Sequence, residues 1–99
     1  MAPNPQFVWV DGKLTSWNEA TVHITALGVA TVSLVYEGIR AYWNDVAQKL
    51  YVFQLGAHTQ RLAQSMRLLR MKPQFSAEAL SQAVVDLLRA NKLSGDIYI

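Results

Sequence analysis

The sequence contains no cysteine. A disulfide scaffold is therefore excluded, and so is a zinc site built on thiolates. Histidine is nearly as scarce: His23 and His58 stand 35 residues apart, with no pattern of acidic neighbours. Charge is sparse too, at 16% of residues, and the nine Lys and Arg form no run, so a net charge of +2 leaves no nucleic-acid footprint. No apolar run approaches the roughly 20 residues of a membrane span. The start, MAPNPQFVWVDG, lacks the basic segment and long apolar stretch of a secretory signal. A cytoplasmic protein with no nucleic-acid or membrane partner is the expectation. Glycine-rich phosphate loops, paired carboxylates and a serine nucleophile elbow are also missing.

What is present is a folding composition. Apolar residues make up 52% of the 99, slightly above the usual share, which leaves apolar surface for a partner domain or subunit. The length suits one small domain. Met1 to Gln6, with two prolines, reads as a loose arm. Phe7-Val8-Trp9-Val10, then Asp11-Gly12, then Lys13-Leu14-Thr15 reads as a hairpin on a two-residue turn. Ser16 to Thr25 reads as loop. Thr31 to Trp43 is rich in β-branched and aromatic residues and reads as one long strand, returning through Leu50–Phe53.

Two helices follow. The first opens at Gly56 or Ala57 and runs to about Met71, with Leu62, Met66 and Leu69 as its apolar stripe, and Pro73 ends it. The second runs from Ser76, a good N-cap, to about Asn91, with Leu80, Val84, Leu87 and Leu88 facing inward. Ile97-Tyr98-Ile99 reads as the first half of a strand, which predicts that the natural chain continues. Strands, two helices and a strand predict an α+β domain: a small, mostly antiparallel sheet with two helices on one face.

Three places could carry chemistry. On a strand, Tyr36, Gly38 and Arg40 share one face, and Glu37 and Ile39 the other. A ring, a bare backbone and a guanidinium would suit a small carboxylate ligand. The same residues would also make an ordinary strand with a core tyrosine and a surface arginine. His58 and Arg61 lie one turn apart near a helix start, where an arginine beside free amides can hold a phosphate; a solvated arginine is the plainer reading. Glu19 and His23 have no specific spacing. Trp9, Trp17 and Trp43 read as core or interface residues, since no basic residues interleave with them.

At VYEGIRAY and LGAHTQRLAQSMRLLRM the sequence resembles the class IV aminotransferases, the branched-chain group above all. The family pattern is an aromatic before Glu-Gly-Ile-Arg, then His-x-x-Arg-Leu after a hairpin. Here these are Tyr36, Glu37, Gly38, Ile39 and Arg40, then His58, Arg61 and Leu62. The similarity runs from about Phe7 to Ile99. It implies one small domain over residues 1–99, the N-terminal part of a larger two-domain enzyme. It implies pyridoxal 5'-phosphate as cofactor, with Arg61 at its phosphate and Tyr36, Gly38 and Arg40 lining the substrate pocket. Amino acid and 2-oxo acid substrates, a C-terminal cofactor domain and a homo-oligomer, dimer or higher, are implied as partners.

The family's usual Tyr-Gly before this run is replaced by Thr31 and Val32. Lys13, Lys49, Lys72 and Lys92 match none of the surroundings of the family's Schiff-base lysine, so no catalytic residue is assigned and the 99 residues alone are expected to be inactive. D-amino acid and amine aminotransferases and the aminodeoxychorismate lyase are alternatives within the family. A non-catalytic interaction or assembly domain is the alternative outside it.

Overall fold

The computed structural model describes residues 3–99, so the expected N-terminal arm falls partly outside it. Strand β1 (Phe7–Val10) and β2 (Lys13–Ser16) pair antiparallel, with Val10 opposite Lys13. Asp11 and Gly12 make the turn between them, both with positive φ, 48° and 90°. That geometry matches the twist of a hairpin and suits an Asp-Gly pair. A Cβ on Gly12 would also press on the Phe75 ring at 3.1 Å. Phe75 in turn meets Trp9 edge-on, with ring centroids 5.1 Å apart.

The predicted loop from Ser16 holds two short 3-10 turns, Trp17–Glu19 and Ile24–Ala26. A short helix, α1 (Leu27–Val32), follows. The long strand expected from Thr31 is thus shorter than its composition indicates. Thr31 and Val32 belong to α1, and regular pairing begins only at β3 (Arg40–Asn44). The hairpin expected from that strand and Leu50–Phe53 shrinks to β3 and β4 (Lys49–Val52). The reason is partnership. β-branched residues make a strand only where another strand can pair with them. Here β4 reaches back only to Ala41, and β5 (Ile97–Tyr98) covers only Arg40 and Ala41. One further rung comes from Ile39 and Ile99, which exchange two backbone hydrogen bonds of 2.9 and 2.7 Å.

Among the described residues every ladder is antiparallel, as expected, but the strands form two small sheets instead of one: β1-β2, and β4-β3-β5. Helix α2 (Leu55–Leu68) starts earlier and ends earlier than its apolar spacing predicts. Arg70 takes a left-handed φ of 56°, and the amides of Arg70 and Met71 turn back to the carbonyls of Arg67 and Met66. This closes the helix before Pro73 is reached. Leu69 consequently lies past the helix end, 56% exposed, and is not part of the stripe. Helix α3 (Ala77–Ala90) begins as predicted: the Ser76 hydroxyl accepts the Ala79 amide at 3.1 Å, a cap that contributes about 1 kcal/mol.

The two helices touch through a polar contact that periodicity does not reveal. Thr59, only 4% exposed, bonds Ser81 across the helix pair at 2.9 Å and also donates toward the Leu55 and Gly56 carbonyls. At the end of α3, Asn91 reaches the first strand: its side-chain amide accepts from Phe7 N at 2.9 Å and donates to Phe7 O at 3.0 Å. The fully buried Ala41 and half-buried Trp43, Leu50 and Val52 form the inner face of the three-stranded sheet. A hollow of about 580 Å³ between this face and α3 is lined by Trp43, Leu50, Val52, Val85 and Leu88. The outer face carries Arg40, Tyr42, Tyr51, Phe53 and Tyr98, all exposed. Among the described residues no helix is long and apolar enough to cross a membrane.

Candidate functional site

The site is built where the segment before β3 passes the start of α2. The alternation expected over Tyr36–Arg40 is visible in burial: Tyr36 and Arg40 are exposed, whereas the Glu37 side chain is 9% exposed and Ile39 is buried. Ile39 is anchored by its two bonds to Ile99. Glu37, two residues earlier on the same face, points inward to α2.

Glu37 there meets both residues of the second candidate pair. Its Oε2 accepts Arg61 Nε at 2.8 Å, and its Oε1 accepts Arg61 Nη2 at 2.7 Å, a bidentate pair. The same Oε1 lies 2.7 Å from His58 Nδ1. Hydrogen bonds from Arg61, then from His58, hold the Glu37 carboxyl well below its ordinary value, at about 2. The pairing with Glu37 pushes the Arg61 guanidinium above its ordinary value. An ionised carboxylate only accepts, so His58 Nδ1 must carry the proton in that bond. The 3.5 Å approach of Arg61 Nη2 to His58 Nδ1 is then two donors converging on one acceptor.

Arg61 does not sit beside the free amides of a helix start. Because α2 opens at Leu55, Arg61 lies six residues in, roughly 9 Å along the axis. Its orientation comes from Glu37. A guanidinium has five N–H donors; Glu37 engages two, which leaves both Nη1 hydrogens and the second Nη2 hydrogen uncommitted. The side chain is 67% exposed and borders a hollow of about 490 Å³, whose other walls include Gln60, Gln64 and Arg67. This donor set fits a phosphate: planar, permanently charged and open on one edge. None of the residues lining that hollow is a lysine.

Gly38 and Arg40 come together under a residue that reads, in the sequence, as no more than a strand end. Tyr98, paired with Arg40 across β3 and β5, lays its ring against the glycine, so a Cβ at Gly38 would collide with the phenol oxygen. The Arg40 guanidinium lies 5.4 Å from the centre of the same ring. Tyr36 stands apart, 77% exposed. Glu37 is the other residue that sequence reasoning misses as part of the site. Its signal is the Glu-to-Arg separation of 24 residues, which only the hairpin between them converts into contact.

Glu19 and His23 are not brought together into a site. Glu19 accepts the Ser16 hydroxyl at 2.9 Å, and His23 caps its own turn through the Thr25 amide at 3.2 Å. Thr31 and Val32 lie in α1; the side chains of residues 29–31 lie outside the described part, and Val32 is 84% exposed.

Comparison with known proteins supplies the frame for this geometry. Residues 34–99 match the family model described as amino-transferase class IV. Over 93 residues the chain is 33% identical to a probable branched-chain-amino-acid aminotransferase of Aquifex aeolicus, covering 94% of this chain and 30% of that protein. It is 34% identical over 93 residues to the branched-chain-amino-acid aminotransferase of Pseudomonas aeruginosa, with the same coverage. The solved PLP form of the Thermobaculum terrenum branched-chain amino acid aminotransferase superposes with a TM-score of 0.92 at 45% identity, covering 96% of this chain and 31% of that one. The branched-chain aminotransferase of the archaeon Thermoproteus uzoniensis, solved with norvaline, superposes at 0.83 with 40% identity, covering 96% and 31%. The chain thus spans about a third of the length of these relatives and has the fold of that third. On a family match over two thirds of its residues, this chain belongs to the class IV aminotransferases.

Proposed function

We propose that this chain is the N-terminal domain, residues 1–99, of a larger two-domain aminotransferase dependent on pyridoxal 5'-phosphate. The reaction moves an amino group between a branched-chain or similar amino acid and a 2-oxo acid. The observation that carries this reading is Arg61: an exposed guanidinium fixed on one edge by Glu37, with three N–H donors left uncommitted, at the border of an open hollow. Arg61 holds the cofactor phosphate. Tyr36, Gly38 and Arg40 line the substrate side, where Arg40 offers charge for a carboxylate and Gly38 lets the Tyr98 ring lie close. When bound, pyridoxal phosphate supplies an electron sink for the substrate α-carbon. The lysine and the rest of the cofactor cradle come from a C-terminal domain, and the assembly is a dimer or larger. The names of these relatives, all branched-chain aminotransferases, support the substrate class.

The test uses the full-length protein carrying this chain, loaded with cofactor. With leucine, isoleucine or valine and 2-oxoglutarate, glutamate and the matching branched 2-oxo acid should accumulate together. Exchange only with D-amino acids, or none with any of these donors, overturns the substrate reading.

A further inference from the structure

We infer that Glu37 is a positioning residue for cofactor binding, one that sets which edge of Arg61 faces the phosphate; the inference rests on the reading of Arg61 given above. An arginine side chain on a helix surface has many rotamers, and an exposed one ordinarily samples them freely. Arg61 is 67% exposed, yet both atoms of one guanidinium edge are engaged by a single carboxylate. That carboxylate is itself fixed. Its side chain is 9% exposed, it is held at Oε1 by His58, and two residues further on Ile39 is pinned by two bonds to Ile99.

The chain of support therefore runs from the Ile99 backbone, just past β5, through Ile39 and Glu37 to Arg61. Its product is a guanidinium with Nε and one Nη2 hydrogen committed and the edge between Nη1 and Nη2 left for an anion. A preoriented donor edge loses less freedom on binding an anion than a mobile one does. The like-signed charges of Glu37 and a phosphate are kept on different edges of the same guanidinium, so the carboxylate orients without occupying the binding edge.

The experiment is a double-mutant cycle in the full-length protein, with Glu37→Gln, Arg61→Ala and both together. Pyridoxal 5'-phosphate is titrated by absorbance, and the bound phosphate is followed by ³¹P NMR. Glutamine has the size of glutamate but turns an amide donor toward one of the two arginine donors, so the fork cannot form. Glu37→Gln should raise the cofactor dissociation constant on the order of tenfold and shift the ³¹P resonance. In the Arg61→Ala background the same change should do nothing further, because its effect is transmitted through Arg61.

Equal effects of Glu37→Gln with and without Arg61 would mean that Glu37 supports only the fold, which overturns the inference. Unchanged or tighter binding in Glu37→Gln, with Arg61→Ala weakened, overturns it as well and leaves the reading of Arg61 standing. Unchanged binding in Arg61→Ala overturns both. Should Glu37→Gln fail to fold, Glu37→Asp answers the same question: it keeps the charge and loses the reach, and unaltered affinity and phosphate resonance there would sink the inference.

Discussion

Glu37 and Arg61, 24 residues apart in sequence, face each other along two hydrogen bonds of 2.8 and 2.7 Å. The pair joins the segment leading into β3 to the second turn of α2, and it ties together the two motifs that stand out in the sequence.

That pairing has a sign in pH. The Glu37 carboxyl sits at about 2 in the folded chain against an ordinary 4.5, chiefly because Arg61 and then His58 donate to its charged form. A depressed carboxyl stabilises the fold above the unfolded value, and the contribution disappears as pH falls through the window from 4.5 to about 2. Thermal unfolding across this range should show a steeper loss for the native chain than for Glu37→Gln. Parallel curves for the two would mean the pair does not form in solution.

Arg61 and Arg40 should separate by kinetic parameter. In the full-length protein, Arg61→Ala should raise the cofactor dissociation constant by roughly 10- to 150-fold, the range for one lost charge-assisted hydrogen bond. Arg40→Ala should act on the substrate Michaelis constant instead. Cofactor titration and steady-state kinetics on both variants decide the matter, and reversed effects would mean the two roles are exchanged.

Gly38→Ala isolates the contact with Tyr98. The added Cβ would collide with the phenol oxygen, the far end of a side chain that is 64% exposed and can swing away. Stability should therefore change little, within about 0.5 kcal/mol as for other surface substitutions. The Tyr98 ring should nevertheless leave its place against Gly38 and beside Arg40. Its ring-proton NMR shifts report this directly, and unmoved resonances in the variant would contradict the contact.

The 99 residues by themselves should self-associate. Their accessible surface is 7871 Å², where a compact monomer of 11.1 kDa exposes roughly 5,600 Å². The radius of gyration, 14.7 Å, likewise exceeds the roughly 13 Å of a compact hundred-residue domain. Part of the apolar excess is concentrated on the outer sheet face, where Tyr42, Tyr51 and Phe53 are each about half exposed. Sedimentation at low micromolar concentration should show species larger than a monomer; a clean monomer would mean this face is well tolerated in water.

Much of this is legible in the residues because local chemistry settles it. Asp11-Gly12 fixes a hairpin turn by its φ angles, and Ser76 starts α3 by its hydroxyl. The alternation of Tyr36, Gly38 and Arg40 against Glu37 and Ile39 also survives, although residues 33–38 have no ladder partner among the described residues. What escapes depends on distant partners. The length of β3 is set by how far β4 and β5 reach, and the strand propensity from Thr31 carries no such information. The role of Tyr98 depends on register with Arg40, and the role of Glu37 on a hairpin bringing it to α2. Leu69 fits the helical period, but the left-handed turn at Arg70 ends the helix first.

The Asn91 side chain behaves, toward Phe7, as one more residue of backbone: an acceptor for its N–H and a donor for its carbonyl. It thereby plugs the open edge of β1 at the point where another chain's strand could otherwise dock. Only an amide does both jobs. Asn91→Asp, nearly identical in shape, would set a carboxylate oxygen against the Phe7 carbonyl and unplug the edge. The isolated domain carrying it should bind the amyloid dye thioflavin T sooner than the parent chain, and equal lag times would show that the edge is guarded by something else.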